Sequence, residues 1–250
     1  MSIIRAYISA ITKAYIRAVT PGNGGGNIPE IEGVTIGTQT WATSNLEMVA
    51  TPMDNEIPEV TDAGVWGSSA TLYSDAYTAA TGTEAEKVYA GLIASAMWCY
   101  YNNDPVNGAT YGKLYNWYAA KLLQADIDAY NAANPTTPWG WKVPTDAEWT
   151  TLSTYLGGEE VAGGKMKTTG TLNWVAPNEG ATNESGFSGL PGGCRSRFGF
   201  SDVGYVGYWW SSTEYSSSYA WSRTLYLDGT NVGQSYDSKG NGFSLRLLKS

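Results

Sequence analysis

Histidine is absent from this 250-residue chain. That absence removes Ser-His-Asp and Cys-His catalysis and the commonest ligands of zinc and iron sites. Cysteine is nearly absent, with Cys99 and Cys194 the only two. A disulfide between them is open, since spacing alone does not decide it. Isolated cysteines among aromatic residues read first as buried small hydrophobes. Charge is scarce at 15% of residues, and 15 Lys and Arg against 23 Asp and Glu leave a net charge of −8. Nucleic-acid binding needs basic residues to neutralise phosphates, so it is not expected. No apolar run is long enough to span a membrane, and no membrane insertion is expected.

What is present points elsewhere. Thirty glycines, 11 tryptophans and 18 tyrosines describe a turn-rich, aromatic-packed chain rather than a helical bundle. Hydrophobic residues at 42% suffice for a core. Residues 1–20 stand apart, carrying Arg5, Lys13 and Arg17 and no acid. Ile4, Tyr7, Ile8, Ile11, Tyr15 and Ala18 follow helical spacing, while alternating Tyr and Ile keep a strand open. Lys13 interrupts the apolar stretch that a signal peptide needs. The segment reads as a docking or oligomerisation element, joined through a Gly-rich linker at 21–30 to a globular part at 31–250.

Within 31–250, Val34–Trp41 reads as a hairpin around Gly37, and 50–80 reads as loop. Thr83-Glu-Ala-Glu86 and Thr145-Asp-Ala-Glu148 are capping boxes. The first opens a helix through about Ala90. The second opens one carrying Trp149, Leu152 and Leu156, stopped by Gly157-Gly158. Met97–Tyr101 reads as a buried strand and 113–133 as a helix that breaks in places. From Lys165 onward, short strands alternate with Gly-rich turns. Strand, helices, then many strands is the order of an α+β domain.

The C-terminal stretch is the most patterned. Trp221, Arg223, Leu225 and Leu227 share one parity, and Ser222, Thr224, Tyr226 and Asp228 share the other. Strand side chains alternate between faces, so the first set is expected inside and the second outside. Asp228-Gly229-Thr230 is a turn, followed by a short strand with Val232 inward and Asn231, Gly233 and Ser235 outward. Phe243, Leu245 and Leu247 mark a closing strand. The outward set is rich in Tyr, Ser, Thr, Asp, Asn and Gly, the residues of antibody-like binding surfaces.

Other chemistry is weakly supported. Asn102–Asp104 and Pro177–Glu179 offer oxygen ligands for calcium, but the first reads as a turn capping a strand. Asp126 with Asp128, and Glu159 with Glu160, are too closely spaced to face each other across a cleft, and read as solvated residues. No metal and no cofactor is expected.

Several words occur in a fixed order: Gly37–Leu46, Trp98–Asp104, Tyr111–Trp117, Gly140–Trp149, Asn183–Phe187, Leu190–Gly193, Trp209–Tyr215 and Gly242–Arg246. Together they resemble the Fibrobacter succinogenes major paralogous domain, from about residue 34 to the C-terminus. Longer stretches at about 50–95 and 122–138 look like insertions. The resemblance implies a C-type-lectin-like fold with short twisted antiparallel sheets and two or more helices. Members include targets of diversity-generating retroelements, in which asparagine codons of a C-terminal stretch are randomised. Here that stretch corresponds to about 208–248, and the family's words fail between Ala220 and Gly242. The implied ligand-contacting residues are Tyr219, Ser222, Thr224, Tyr226, Asp228, Gly229, Thr230, Asn231, Gly233, Ser235, Tyr236, Asp237 and Ser238. The expected protein is a non-enzymatic phage receptor-binding protein, docked to a virion tail component by residues 1–20 and meeting a host-surface protein or glycan. A homo-oligomer is expected. A bacterial surface or secreted adhesin of the same fold is the alternative. Formylglycine-generating enzymes share the broad fold, and Gly192–Ser196 resembles them faintly, but their chemistry needs two cysteines acting together.

Overall fold

The computed structural model describes residues 28–250. The docking segment 1–20 and most of the linker lie outside the described residues. The described chain is α+β. Its strands are β1 (Gly33–Ile36), β2 (Gln39–Ala42), β3 (Trp98–Cys99), β4 (Leu114–Tyr115), β5 (Trp141–Lys142), β6 (Gly192–Ser196), β7 (Gly199–Val203), β8 (Val206–Glu214), β9 (Tyr219–Tyr226), β10 (Val232–Ser238) and β11 (Leu248–Lys249). Its helices are α1 (Ala63–Gly67), α2 (Ser69–Ala79), α3 (Glu84–Ser95), α4 (Pro105–Tyr111), α5 (Trp117–Ala133), α6 (Asp146–Tyr155) and α7 (Glu159–Met166).

Local chemistry sets many of these elements. Gly37 at φ 64° turns β1 into β2, a conformation glycine adopts without steric cost. Thr83 and Thr145 each close a full capping box and start α3 and α6. Asp104 accepts from the Val106 N–H and Pro105 follows, so Asn102–Asp104, expected to cap a strand, instead leads into α4 with Asp104 as its N-cap. The stretch expected as loop at 50–80 instead holds α1 and α2. Asp62 caps α1, and Trp66, 1% exposed, anchors it with its indole N–H on the Gly240 carbonyl. Helix α7 has no sequence signal, because Glu-Glu-Val-Ala-Gly-Gly carries no apolar stripe.

The last strand closes the domain onto the first. β11 lies between β2 and β5 in a four-stranded antiparallel sheet. The three-stranded sheet β10–β9–β8 sits between two cores. Trp210 and Ala220 enter a core with α3, α5 and Phe243; Trp209, Leu225 and Val232 enter another with Trp41, α6 and Phe187. Neighbours 209 and 210 thus point to opposite faces, as strand geometry requires. Beneath both, Arg246 is completely buried. Its guanidinium donates to Asn45 Oδ1 at 2.8 and 3.2 Å, to the Phe187 carbonyl at 2.6 Å and to the Ala42 carbonyl at 3.1 Å. The Trp209 indole N–H donates to the same Asn45 oxygen at 2.9 Å. One amide therefore ties the stretch after β2, strand β8 and the closing segment together.

Asp126 corrects another expectation. It is buried rather than solvated, because Thr51, Asn55 and Tyr89 all donate to its carboxylate. Burial still raises its carboxyl above the usual range.

Candidate functional site

Neither expected set on β9 follows the alternation throughout. Leu225 and Arg223 are buried, as expected. Ser222 and Thr224, expected outside, are 0% and 3% exposed, while Trp221, expected inside, is half-buried. The reason is the second layer. β9 is the central strand of its sheet; on one side α6 packs against it and α7 against β10, and on the other the β6–β7 hairpin and Phe243 pack against neighbouring β8. A strand covered on both sides has no outward set at its centre. Polar residues there are satisfied internally: the Ser222 hydroxyl donates to Asp237 Oδ2 at 2.6 Å.

The thirteen expected residues fall into three places rather than one. Tyr219, Tyr236 and Ser238 share the face of Trp221, Arg223 and Leu225, because the antiparallel register pairs Tyr236 with Trp221 and Ser238 with Tyr219. Tyr226, Gly233, Ser235 and Asp237, with buried Ser222 and Thr224, share the opposite face. Asp228, Gly229, Thr230 and Asn231 form the far turn.

The first face ends in an exposed aromatic group. Tyr215 stacks on Tyr236 with centroids 4.1 Å apart and planes 6° from parallel. Trp221 stands edge-on to both, at 85° and 90°, and Tyr219 edge-on to Tyr236 at 84°. Such offset and edge contacts fix ring positions before any ligand arrives. Tyr215, Tyr219 and Tyr236 remain 49%, 44% and 49% exposed. The loop carrying Tyr215 is pinned: Ser216 Oγ accepts from the Ser218 and Tyr219 N–H groups. Lys239 donates to the Ser217 carbonyl and pairs with Glu214. On this face, β10 is joined to α6 through Asp146, which accepts from Arg223 and from the Gln234 amide.

The second face is polar. Tyr226 is exposed, and the Tyr208 hydroxyl donates to Asp202 Oδ2 at 3.0 Å, as does Ser201 at 2.9 Å. Cys194 lies beside Ser201, 3.2 Å from its hydroxyl. Burial pushes the Cys194 thiol up, and the carboxylates of Asp202 and Asp237 add to the shift. Burial pushes Cys99 up to about 11. Both cysteines are free and buried, and these shifts favour the thiol over the reactive thiolate.

The turn is held down. Lys167 Nζ donates to the carbonyls of Glu179, Tyr226 and Gly229, each at 2.8 Å. Burial lowers this lysine to about 8, against the pull of Glu179 and Asp228. The chain also presses on α7: a Cβ on Gly163 would stand 2.2 Å from the Asn231 carbonyl oxygen.

The expected set lacks Tyr215, Gln234, Asp202 and Tyr208. Tyr215 falls in a word shared with the resembled family, which assigned it to the frame. Asp202 comes from a different hairpin and carried no sequence signal toward this sheet.

A sequence model of the Fibrobacter succinogenes major domain matches residues 34–249. No curated protein and no solved structure matches the chain.

Proposed function

Because the chain belongs to the Fibrobacter succinogenes major domain family, we propose that its C-terminal sheet displays a ligand-binding surface, diversified by a retroelement, on a phage receptor-binding protein. The observation that carries this reading is the aromatic group. Every large hydrophobic side chain that β9 and β10 leave exposed is a tyrosine: Tyr219, Tyr226 and Tyr236. Tyrosine gives large rigid contact area at small entropic cost, and the neighbouring Ser, Asp and Gln adapt their hydrogen bonds. Directly beneath, Trp209, Trp210 and Arg246 are fully buried and belong to the frame. Exposed residues can therefore change while the frame is kept. The surface is non-catalytic in this reading, which the protonated thiols support. The C-type-lectin-like architecture, the virion-tail location and the docking of residues 1–20 to a tail component are part of the same proposal.

The burial pattern sharpens the test. The flanking DNA should hold a reverse transcriptase gene and a near-copy of the codons for 208–248. Differences between the copies should fall on adenines in the codons for Tyr219, Tyr226, Ser235, Tyr236, Asp237 and Ser238. They should be rare at buried Ser222 and Thr224. No near-copy, or differences scattered over Trp209, Trp210 and Phe243, would overturn the reading. A secreted adhesin would use the same surface; deleting residues 1–27 separates the two, since only the tail protein should then fail to join its particle.

A further inference from the structure

A cleft opens where the described chain begins. Its volume is about 710 Å³, and it runs between the entering stretch 28–32 and the stretch 43–54 that follows β2. Backbone hydrogen bonds hold its walls in place. The Thr43 N–H donates to the Glu32 carbonyl at 3.0 Å, and the Leu46 N–H to the Leu245 carbonyl at 2.8 Å. The Asp54 N–H donates to the Thr51 carbonyl at 2.9 Å, in a turn that lines the same cleft. Ile31, Leu46, Met48 and Leu247 make the lining apolar, and Val49 is 48% exposed. A recess with apolar walls left open to solvent marks a binding surface. There is room for a few side chains, not for a whole folded partner.

The lining is also acidic. Glu30, Glu32, Glu47 and Asp54 belong to it, and no Lys or Arg does. Glu47 is paired with Lys113 at 2.7 Å. Glu30, Glu32 and Asp54 are exposed and form no ion pair among the described residues. An apolar stripe flanked by positive charge complements such a surface.

Residues 1–20 carry that pattern. Ile4, Tyr7, Ile8, Ile11, Tyr15 and Ala18 share one helical face, and Arg5, Lys13 and Arg17 are the only charged side chains of the segment. At helical spacing Arg5 and Arg17 flank the stripe on opposite sides, and Lys13 stands behind it. Seven residues, 21–27, separate the segment from Ile28, which itself lines the cleft. Fully extended, they span at most about 25 Å. A tether this short gives an effective concentration on the order of millimolar, which favours the chain's own cleft over that of a second copy.

We propose that the cleft is the docking site of this chain's own residues 1–20. The apolar stripe lies against Ile31, Met48 and Val49, and Arg5 and Arg17 meet Glu30, Glu32 and Asp54. The inference goes beyond the proposed function and does not rest on the retroelement reading. A tail component that takes residues 1–20 would have to displace them from this cleft.

The test is hydrogen–deuterium exchange of the full chain, read by mass spectrometry on fragments from residues 1–20. Their amides should exchange about tenfold more slowly than in a synthetic peptide of the same twenty residues. Glu30→Lys/Glu32→Lys and Arg5→Glu/Arg17→Glu should each remove most of that protection, and the two pairs combined should restore it. Val49→Asp should remove it as well. Asp75→Lys/Glu159→Lys, on exposed helix positions outside the cleft, should leave it unchanged. Protection that ignores the cleft variants, or falls equally in that charge-matched control, would overturn the proposal. So would failure of the combined reversal to restore it. Protection that disappears on dilution would place the segment on a second copy and overturn it too. Should Val49→Asp fail to fold, the charge reversals at exposed positions carry the test.

Discussion

The two faces of β9 solve the same problem in opposite ways. One face goes from Leu225 through Arg223 to Trp221, from apolar core through a paired charge to half-exposed aromatic rings. The other goes from Ala220 through Ser222 and Thr224 to Tyr226, with hydroxyls in its buried middle. Aromatic rings on the first face fix one another by stacking. Groups on the second are positioned by hydrogen bonds to carboxylates on other strands. The contrast shows that burial in this sheet follows the layers above and below it, and not the polarity of the residue alone.

The frame under both faces should give the largest effect if broken. Arg246→Met takes a buried donor from the Ala42 and Phe187 carbonyls and leaves Asn45 Oδ1 only the Trp209 N–H, and should cost about 3–5 kcal/mol in urea unfolding. A loss under 1 kcal/mol would mean that the faces do not share this support. Trp221 comes next. Its ring is half-buried, so Trp221→Ala should cost roughly half of the ~3–5 kcal/mol that a fully buried tryptophan such as Trp210 loses. Equal losses at 221 and 210 would restore the simple inside–outside alternation. Smaller still is the coupling between Tyr215 and Tyr236. A double-mutant cycle to alanine should give about 0.5–1.5 kcal/mol, the value of a stacked pair, and zero coupling would mean the rings are not pre-positioned.

The smallest effect separates the faces by sign. Burial raises the Asp237 carboxyl above its ordinary value of 3.8. Between that value and the higher folded one, the native state holds more protons than the unfolded chain. Stability from this group therefore falls as pH rises through that window and is regained as pH drops. Asp237→Asn removes the penalty and should raise the melting temperature slightly at pH 7, with a flatter acid-side profile than the parent.

Much of the scaffold was legible because its signals are local. The capping boxes at Thr83 and Thr145 and the turn at Gly37 each act within a few residues, and each stands where the sequence places it. The family words supplied the rest of the frame. The site was legible in composition and stretch but not in facing. Ser222 and Thr224 alternate correctly with Arg223 and Leu225; what the alternation cannot report is that β6 and β7 cover the other side. Asp126 was misread for a similar reason, since Thr51 and Asn55, which make its burial tolerable, lie some seventy residues earlier in the chain. Long-range partners carry no periodicity.

The position of β11 has a consequence for how such a surface survives change. Leu248 pairs with Trp41 on one side and Lys142 on the other, so the sheet that joins the domain's opening to its middle is complete only after β9 and β10 have been synthesised. A ribosome therefore delivers β9 and β10 before the clasp that closes the fold. A frameshift or stop codon in the codons for these strands removes the clasp with them. If the surface is diversified as proposed, chains without the clasp would lack a completed domain, and folding itself would screen the variants for reading frame.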